Sequence, residues 1–448
     1  MKLWGSRGKA NGLWQGIQRK PVLTSGALRE EKTLKIGIKK SRWKFFWKGL
    51  HAPWAAVILL FLGAPVLSFS QVSRLTADGY VKYLASTTKF PLLTTKRLND
   101  QLIHMRLNTH WYPVDALRGE LDFRFRAYYG GSVEKIPNFI NQIKSHHEFK
   151  QLDHVFWHGG KSIGYGQIDR LWLDYSRGNL EVTLGRQRIA WGTALVWNVI
   201  DLFNPQSILD FDYEEKPGAD ALRVQYYTGP VSKIEISLKP GRDKKRSVAA
   251  GMIWVNAFSY DFFALSGVRN NRWVLGGAWA GSILKAGFRG ELLLSAPPNK
   301  STPLPGLNLS YFGTSIFEYS KPVFSSVLSG DYTFSNSLYL HTEILYNSNG
   351  KLKNAGVFYW QAMQAGMLSP SRWSVFQEFS YDITPLLRGS IFWILNPNDH
   401  SSVAVPQLNW SVISNLDATV IAFSARGKHF TEWGDYGTSA FFRLKYSF

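Results

Sequence analysis

Apolar and polar residues alternate with a period of two along most of this 448-residue chain, and helical periodicity is nearly absent after residue 71. A period of two is the side-chain repeat of a β-strand, in which successive residues point to opposite faces. In the segment 120–129, for example, Leu121, Phe123 and Phe125 share one face, and the other face is charged. The alternation therefore predicts an all-β fold built from many strands.

Alternation alone fits two architectures. A soluble β-sandwich buries the apolar face and hydrates the polar face, whereas a membrane β-barrel turns the apolar face to lipid and the polar face to a wet lumen. The composition favours the barrel, because 15% of the residues are aromatic and yet the mean hydropathy is only −0.16. The chain contains no Cys, which excludes disulfides, thiolate metal sites and a Cys nucleophile.

More than half of the excess positive charge precedes a short hydrophobic segment. The formal net charge is +20, and residues 1–52, with 13 Lys/Arg and two acids, contribute +11 of it. The following segment 54–67 is apolar but shorter than the roughly 20 residues of a membrane-spanning helix, so a signal peptide is favoured over a membrane anchor. Targeting therefore explains the basic charge, and we expect no nucleic-acid partner.

These features divide the chain into a targeting region, residues 1–70, and a β-barrel domain, residues 71–448, with cleavage near Ser70/Gln71. A barrel domain behind a secretory signal predicts the outer membrane of a Gram-negative cell. The last segment supports this location, since it alternates up to a carboxy-terminal Phe448. Such an ending resembles the signature by which outer-membrane barrels are delivered to their assembly machinery, so outer-membrane lipid and that machinery are the expected partners.

Short turns alternate with longer connections along the predicted strands. If the turns at 112–118, 176–179 and 228–232 are periplasmic, the long loops lie outside, as is usual for outer-membrane barrels. The resulting count is about 18 strands, with 16 also acceptable. The predicted fold is a transmembrane antiparallel up-and-down β-barrel of 16–18 strands.

The stretch 185–205 interrupts this rhythm. It follows the strand Leu180–Leu184 and carries Trp191, Trp197 and other residues before alternation resumes near residue 221. Long loops within compact domains are uncommon unless they are functional, which favours a loop folded toward the lumen over an ordinary surface loop. The two tryptophans then either stack in the lumen or belong to an interfacial belt.

Charged side chains that line the constriction set the selectivity of a wide barrel. Strict alternation would place Arg186 and Arg188 on the lipid face, so we expect a bulge at Gly185 that turns them inward; the alternative is a position at headgroup level. The lumen candidates are basic-rich, which favours anionic or sugar-like solutes. The pore-lining and constriction candidates are Arg106, Glu120, Asp122, Arg124, Arg126, Arg170, Asp174, Glu181, Arg186, Arg188, Trp191, Trp197, Asp201, Asn204 and Arg223.

Catalytic motifs are missing from the sequence. There is no Gly-x-Ser-x-Gly elbow and no His-Glu-x-x-His, and the phosphate-loop-like Gly159-Gly-Lys-Ser162 has Val155 in place of the first glycine. Several histidines cluster between His104 and His158, where solvated loop positions are favoured over a metal site. We therefore expect no enzyme activity, no cofactor and no metal.

Three motifs resemble those of porin-like outer-membrane barrels. They are Gly185-Arg-Gln-x-Ile-x-Trp-Gly192 with Asp201-Leu-Phe-Asn-Pro205, the segment Asp78-Gly-Tyr-Val-Lys-Tyr83, and Leu102-x-x-Met-Arg-Leu-Asn108. The resemblance is to uncharacterised barrels of the Bacteroidetes type, similar in style to alginate-export and phosphate-selective porins. It covers about residues 75–448 and implies a barrel channel without naming a substrate.

The expected function is passive passage of small polar solutes, anionic or sugar-like, through a lumen that residues 189–218 narrow. The alternative is an export or assembly barrel for a polysaccharide or lipid that works with periplasmic partners. The two differ in a measurable way, because a porin conducts alone and an export barrel is isolated with its partners.

Overall fold

The computed structural model describes residues 74–91, 96–144, 148–204, 215, 217–242, 246–297, 321–364 and 366–448. The predicted targeting region and its cleavage site lie outside these residues. Within the described part, no helix is long and apolar enough to span a membrane.

A single antiparallel sheet of 19 strands forms the fold. Their bounds are β1 (Leu75–Lys89), β2 (Leu98–Val114), β3 (Leu117–Gly130), β4 (Asp153–Gly159), β5 (Ser162–Arg177), β6 (Leu180–Gln187), β7 (Ala219–Gly229), β8 (Ser232–Lys239), β9 (Val248–Ala257), β10 (Tyr260–Arg269), β11 (Arg272–Ile283), β12 (Ala286–Ala296), β13 (Val323–Thr333), β14 (Tyr339–Asn347), β15 (Trp373–Thr384), β16 (Leu387–Asn396), β17 (Ser401–Ile413), β18 (Leu416–Arg426) and β19 (Thr438–Ser447).

The sheet closes on itself, because β1 pairs with β2 on one edge and with β19 on the other. Strand β4 pairs only with β5, so the closed wall has 18 strands. The carboxy terminus completes the closure, since the backbone N–H of Phe448 donates to Gly79 and its carbonyl accepts the Gly79 N–H. The prediction of an up-and-down barrel with 16–18 strands is confirmed.

The exposure of the two faces of each strand distinguishes a membrane barrel from a soluble sandwich. On β3 the apolar residues Leu121 and Phe123 are 43% and 39% exposed, whereas Asp122 and Arg124 between them are 3% and 4% exposed. A soluble sandwich would show the reverse. An apolar outer surface with charged residues inside is the arrangement of a transmembrane barrel.

The connections differ between the two ends of the barrel. At one end, called the short-turn end, the hairpins β2–β3, β5–β6, β7–β8, β9–β10, β11–β12, β13–β14, β15–β16 and β17–β18 close in at most five residues. The opposite end carries the long connections and three short ones. The short ones are the two-residue turns Gly160-Lys161 between β4 and β5 and Asn270-Asn271 between β10 and β11, and the four-residue turn 397–400 between β16 and β17. The turns predicted at 112–118, 176–179 and 228–232 all lie at the short-turn end.

The connection between β3 and β5 contains the elements that alternation did not predict. These elements are the helices α1 (Gly131–Lys135) and α2 (Phe139–Ile143) and the strand β4. A third helix, α3 (Tyr359–Gln364), follows a 3-10 turn at Ala355–Phe358 in the β14–β15 connection.

Candidate functional site: a divided lumen

Residues 188–204, which we call the inner loop, lie inside the barrel. Eight apolar residues of this loop pack in one cluster with buried residues of every strand from β9 to β18. One loop can contact ten strands of a closed wall only from within. The cluster fills one side of the lumen, the apolar half, with the loop residues Ile189, Trp191, Ala194, Trp197, Val199, Ile200, Leu202 and Phe203.

Two buried glutamates hold the inner loop by its backbone. Glu291 of β12 accepts hydrogen bonds from the backbone N–H groups of residues 193, 194 and 200, and Glu343 of β14 accepts those of residues 195, 196 and 197. Both carboxylates are fully buried. Because a buried N–H without a partner costs about 1–3 kcal/mol, these two side chains satisfy a loop that has no regular secondary structure.

Side-chain contacts fix the two ends of the inner loop. The indole N–H of Trp191 donates to Glu235 of β8 at 2.8 Å, and the amide of Asn204 donates to the carbonyl of Ile189 at 3.1 Å. Asp201 accepts the Asn204 N–H and interacts electrostatically with Arg269. The structure thus places Trp191, Trp197, Asp201 and Asn204 in the buried interior of the loop rather than on the wall of an open channel.

The other side of the lumen is polar and contains a cavity of about 400 Å³. This polar half is formed by the inward faces of β2, β3, β5, β6 and β7 with the start of the inner loop. The residues that line the cavity are Arg106, Asn108, His110, Arg118, Glu120, Asp122, Arg170, Trp172, Glu181, Thr183, Gln187, Arg188, Glu215 and Arg223. Seven of the predicted pore-lining residues line this cavity, and Arg188 is one of them.

A buried ion-pair network forms the floor of the polar half. Arg106 donates to Asp122 at 2.6 Å and to Asp169 at 2.8 Å, and Asp169 also accepts from Arg170 at 3.1 Å. Asp169 reaches this network because the β3–β5 pairing shifts register between Asp122 and Phe123, so that two consecutive β5 residues face inward. This irregularity is a β-bulge, and no residue pattern in the sequence predicts it.

Most arginines of the cavity are paired. Arg118 bridges Asp174 and Glu181 at 2.9 and 3.1 Å, and Arg223 binds Glu235 at 2.7 Å. Arg188 differs, because it makes no ion pair with any of the described residues while its exposed side chain lines the cavity. It is therefore the cation of this cavity best placed to meet an anionic solute.

Arg186 is held differently from Arg188. It binds Asp220 through two hydrogen bonds of 2.7 and 3.0 Å and donates to the carbonyls of Ile168 and Lys150. The expected bulge is not seen, since the pairing of β6 with both neighbours is continuous at Gly185. Gly185 has φ 125°, and a Cβ there would lie 2.2 Å from the carbonyl oxygen of Leu171, so the position requires glycine.

The remaining candidates do not line the cavity. Arg124 is buried on the inward face of β3, and Arg126 stacks on the rings of Tyr128 and Tyr165 and donates to the Ile143 carbonyl. Asp174 is buried beneath Arg118 and also accepts from Thr183 at 2.7 Å. These side chains support the polar half without lining its cavity.

Sequence reasoning missed the glutamates that anchor the inner loop. Glu291 and Glu343 each lie on the same inward face as one buried leucine, Leu293 or Leu345, and as polar residues such as Arg289 and His341. An acid on an inward face is an available signal, because a buried carboxylate requires donors. The sequence could have shown that donors were needed, but not that they come from residues 193–200.

Metal ligands do not converge in the described residues. No group of three or more His, Asp or Glu side chains there has the geometry to hold a metal ion. His146 and His147 of the predicted histidine cluster lie outside those residues.

The fold and lumen define a porin-like β-barrel, and comparison with known proteins agrees with this class. No family model matches the sequence, and no curated protein matches it. Among solved structures, the barrel is similar to Acinetobacter baumannii OccAB4 (TM-score 0.54, 8% identity, 84% of this chain and 98% of that chain). It is also similar to Acinetobacter baumannii OccAB3 (TM-score 0.53, 10% identity, 84% and 100%) and Pseudomonas aeruginosa OccK5 (TM-score 0.51, 9% identity, 84% and 98%). At this identity the likeness shows the fold alone.

Proposed function

We propose that this protein is an outer-membrane channel for the passive passage of small polar solutes, anionic or sugar-like, along the polar half of its lumen. The cavity of about 400 Å³ between charged side chains of both signs carries this proposal. Charged groups that face each other across a water-filled space are the means by which a barrel selects solutes.

The preference for anions rests on Arg188. The other cavity arginines named above are neutralised by Asp or Glu partners, so the net attraction for a passing solute falls on the cation without a described partner. The Trp172 ring, beneath the guanidinium of Arg118, adds a flat apolar surface of the kind on which sugars stack.

A second candidate is an occluded export or assembly barrel that works with periplasmic partners. One observation favours it: eight apolar residues of the inner loop pack in one buried cluster with the inward residues of β9–β18. A barrel of this kind would open only when a partner displaces the loop.

The location and the biogenesis partners belong to the same proposal. We place the barrel in the outer membrane of a Gram-negative cell after signal-peptide cleavage near Ser70/Gln71, with the short-turn end in the periplasm. The strand β19 that ends in Phe448 would be the segment read by the assembly machinery. The Bacteroidetes-type porin group remains the proposed family.

The test is single-channel conductance of the refolded protein in a planar bilayer, with reversal potential under a salt gradient. We expect stable conductance with anion preference, and Arg188→Gln should shift the reversal potential toward cations. Arg426→Gln, an exposed arginine at the end of β18, is the matched control and should leave it unchanged. A folded barrel that never conducts would overturn the channel proposal and favour the export alternative.

A further inference from the structure

Three consecutive hairpins at the short-turn end carry exposed apolar residues at their tips. Val231 lies between β7 and β8, Phe258 between β9 and β10, and Leu284 between β11 and β12. Phe258 and Leu284 are 94% and 97% exposed, more than any other large apolar residue in the described part. We call these three residues the apolar tips. Some other turns at the same end are polar, such as Gly178-Asn179 and Ser414-Asn415, whereas the β15–β16 turn also carries an exposed apolar residue, Leu386.

Phe258 is an unusual residue for the backbone conformation of its turn. Phe258 and Ser259 have φ 54° and 63°, which is the left-handed pair that a two-residue hairpin requires. Asn270 and Asn271 adopt nearly the same pair, φ 54° and 60°, in the turn at the opposite end. Asn suits this conformation, whereas a bulky side chain is strained there, so Phe258 occupies a place where the turn itself favours a small polar residue.

The apolar tips continue the lipid-facing surface of the barrel. Val255 on β9 and Ile283 on β11 are exposed apolar residues, at 43% and 53%, that lie three positions before Phe258 and directly before Leu284. The exposed Asn256, between Val255 and Phe258, donates to Asp261 at 2.8 Å, so its amide is paired within the hairpin. The exposed Lys285 next to Leu284 can extend its ammonium to lipid phosphates while the leucine stays in apolar surroundings.

The dimensions of this sector agree with contact to the bilayer. Strands β8, β9 and β10 have 8, 10 and 10 residues. At a rise of about 3.3 Å per residue and a tilt near 45°, ten residues span about 23 Å, just under the apolar band of about 25 Å. The ends of such short strands lie at the membrane interface, whereas β2 and β5, with 17 and 16 residues, extend beyond it.

We propose that the apolar tips insert into the lipid leaflet at the short-turn end and anchor the β7–β12 sector of the barrel there. At the other end of the same sector, the polar Asn270-Asn271 turn extends from the opposite membrane interface into water. The anchor rests on the transmembrane fold and does not depend on whether the barrel conducts.

The test uses the absence of native cysteine, which allows single-site labelling. Phe258→Cys and Leu284→Cys are labelled with an environment-sensitive fluorophore and reconstituted into phosphatidylethanolamine–phosphatidylglycerol vesicles. Asn179→Cys, at a polar tip of the same end, and Asn271→Cys, with the same turn geometry at the other end, are the matched controls. Heat-modifiable mobility on gels confirms that each variant has folded.

We expect blue-shifted emission at 258 and 284 and strong quenching by lipids that carry a nitroxide near the headgroup. Reaction with a water-soluble maleimide should be about tenfold slower than at 179, as burial of a large apolar side chain in lipid implies. In bilayers of shorter acyl chains the two labels should move toward water.

Three results would overturn the proposal. Labels at 258 and 284 that are as accessible to water as the label at 179 would exclude insertion. Protection that disappears on dilution of protein in lipid would assign the tips to a second copy of the chain. Protection that appears only after a soluble periplasmic extract is added would assign them to a protein partner.

Discussion

The two halves of the lumen share one wall but are stabilised by different interactions, ion pairs in one half and apolar packing in the other. In the polar half, inward charges of β2, β3 and β5 neutralise one another around a cavity, with Arg106 between Asp122 and Asp169 as the central pair. In the apolar half, inward residues of β9–β18 pack against the inner loop. A membrane barrel can therefore build a dry core on its inside, provided that a loop covers it.

The difference explains why the inner loop must stay in place. An uncovered apolar half would expose a large apolar surface to the lumen water, which is unfavourable by roughly 25 cal/mol per Å². The polar half has no such need, because its charges remain stable next to water. Solute passage and loop packing are thus assigned to separate sectors of one barrel.

The largest expected effect comes from removing both loop anchors. Replacing Glu291 and Glu343 together by Ala leaves six backbone N–H groups without acceptors, at about 1–3 kcal/mol each. We expect the inner loop to leave the apolar half, seen as proteolysis within residues 188–204 and as a larger single-channel conductance. The matched Glu→Gln pair keeps one acceptor oxygen at each site and should have a smaller effect. A loop that stays protected in the Ala pair would contradict this account.

A smaller loss of stability is expected from a substitution in the polar half. Arg106→Ala leaves Asp122 buried without its cation and should destabilise the barrel by about 3–5 kcal/mol in urea titrations of the detergent-solubilised protein. Arg388→Ala is the control, because Arg388 and its partner Asp382 are both about half exposed and such an ion pair is worth about 0–1 kcal/mol. Equal losses for the two variants would show that burial does not set the strength of this network.

Loss of packing within the inner loop should lower the stability of the barrel by less than loss of the Arg106 ion pairs. Ile200 is fully buried, and Ile200→Ala should cost about 3 kcal/mol because it leaves a cavity in the apolar half. Leu195 of the same loop is 49% exposed, and Leu195→Ala should cost less than about 0.5 kcal/mol. The same urea titrations compare the two variants, and a large loss for Leu195→Ala would mean that the packing differs from that described.

The smallest effect is local and depends on pH. Glu432, in the β18–β19 connection, lies next to Trp433, which packs on the apolar half. Burial raises the pKa of Glu432 to about 7, although hydrogen bonds from Ser371 and Ser369 oppose the shift. The folded protein therefore holds this proton at pH values where an unfolded Glu, with a pKa near 4.5, has lost it.

The stabilisation from Glu432 is complete below about pH 4.5 and is lost as pH rises through about 7. Hydrogen exchange should therefore show the 427–437 connection less protected at pH 8 than at pH 5, with the polar half unchanged. Glu432→Gln should remove this dependence. An unchanged pH response in that variant would assign it to another group.

Much of the fold could be predicted from the sequence. The predicted range of 16–18 strands contains the 18 strands of the closed wall, because a period of two is a local signal that each strand carries on its own. The inward position of Arg106, Asp122 and Arg124 followed from the same parity. Strand β4 and the β5 bulge were missed, since both depend on pairing partners rather than on alternation.

The candidate site was predicted only in part. Its charged wall followed from parity, and the long connection after β6 indicated a loop folded inward. The sequence could not show which side of the lumen the loop fills, or that Trp191 and Trp197 are buried within it.

By itself, the sequence determined which residues of a strand share a face and which connections are long, and it bounded the strand count at 16–18, because these are properties of neighbouring residues. Only the tertiary structure decided the division of the lumen. Closure of the barrel brings Glu291 and Glu343 to backbone groups 98 and 148 positions earlier in the chain. Contacts over such separations are set by the register of the whole wall, which no local pattern encodes.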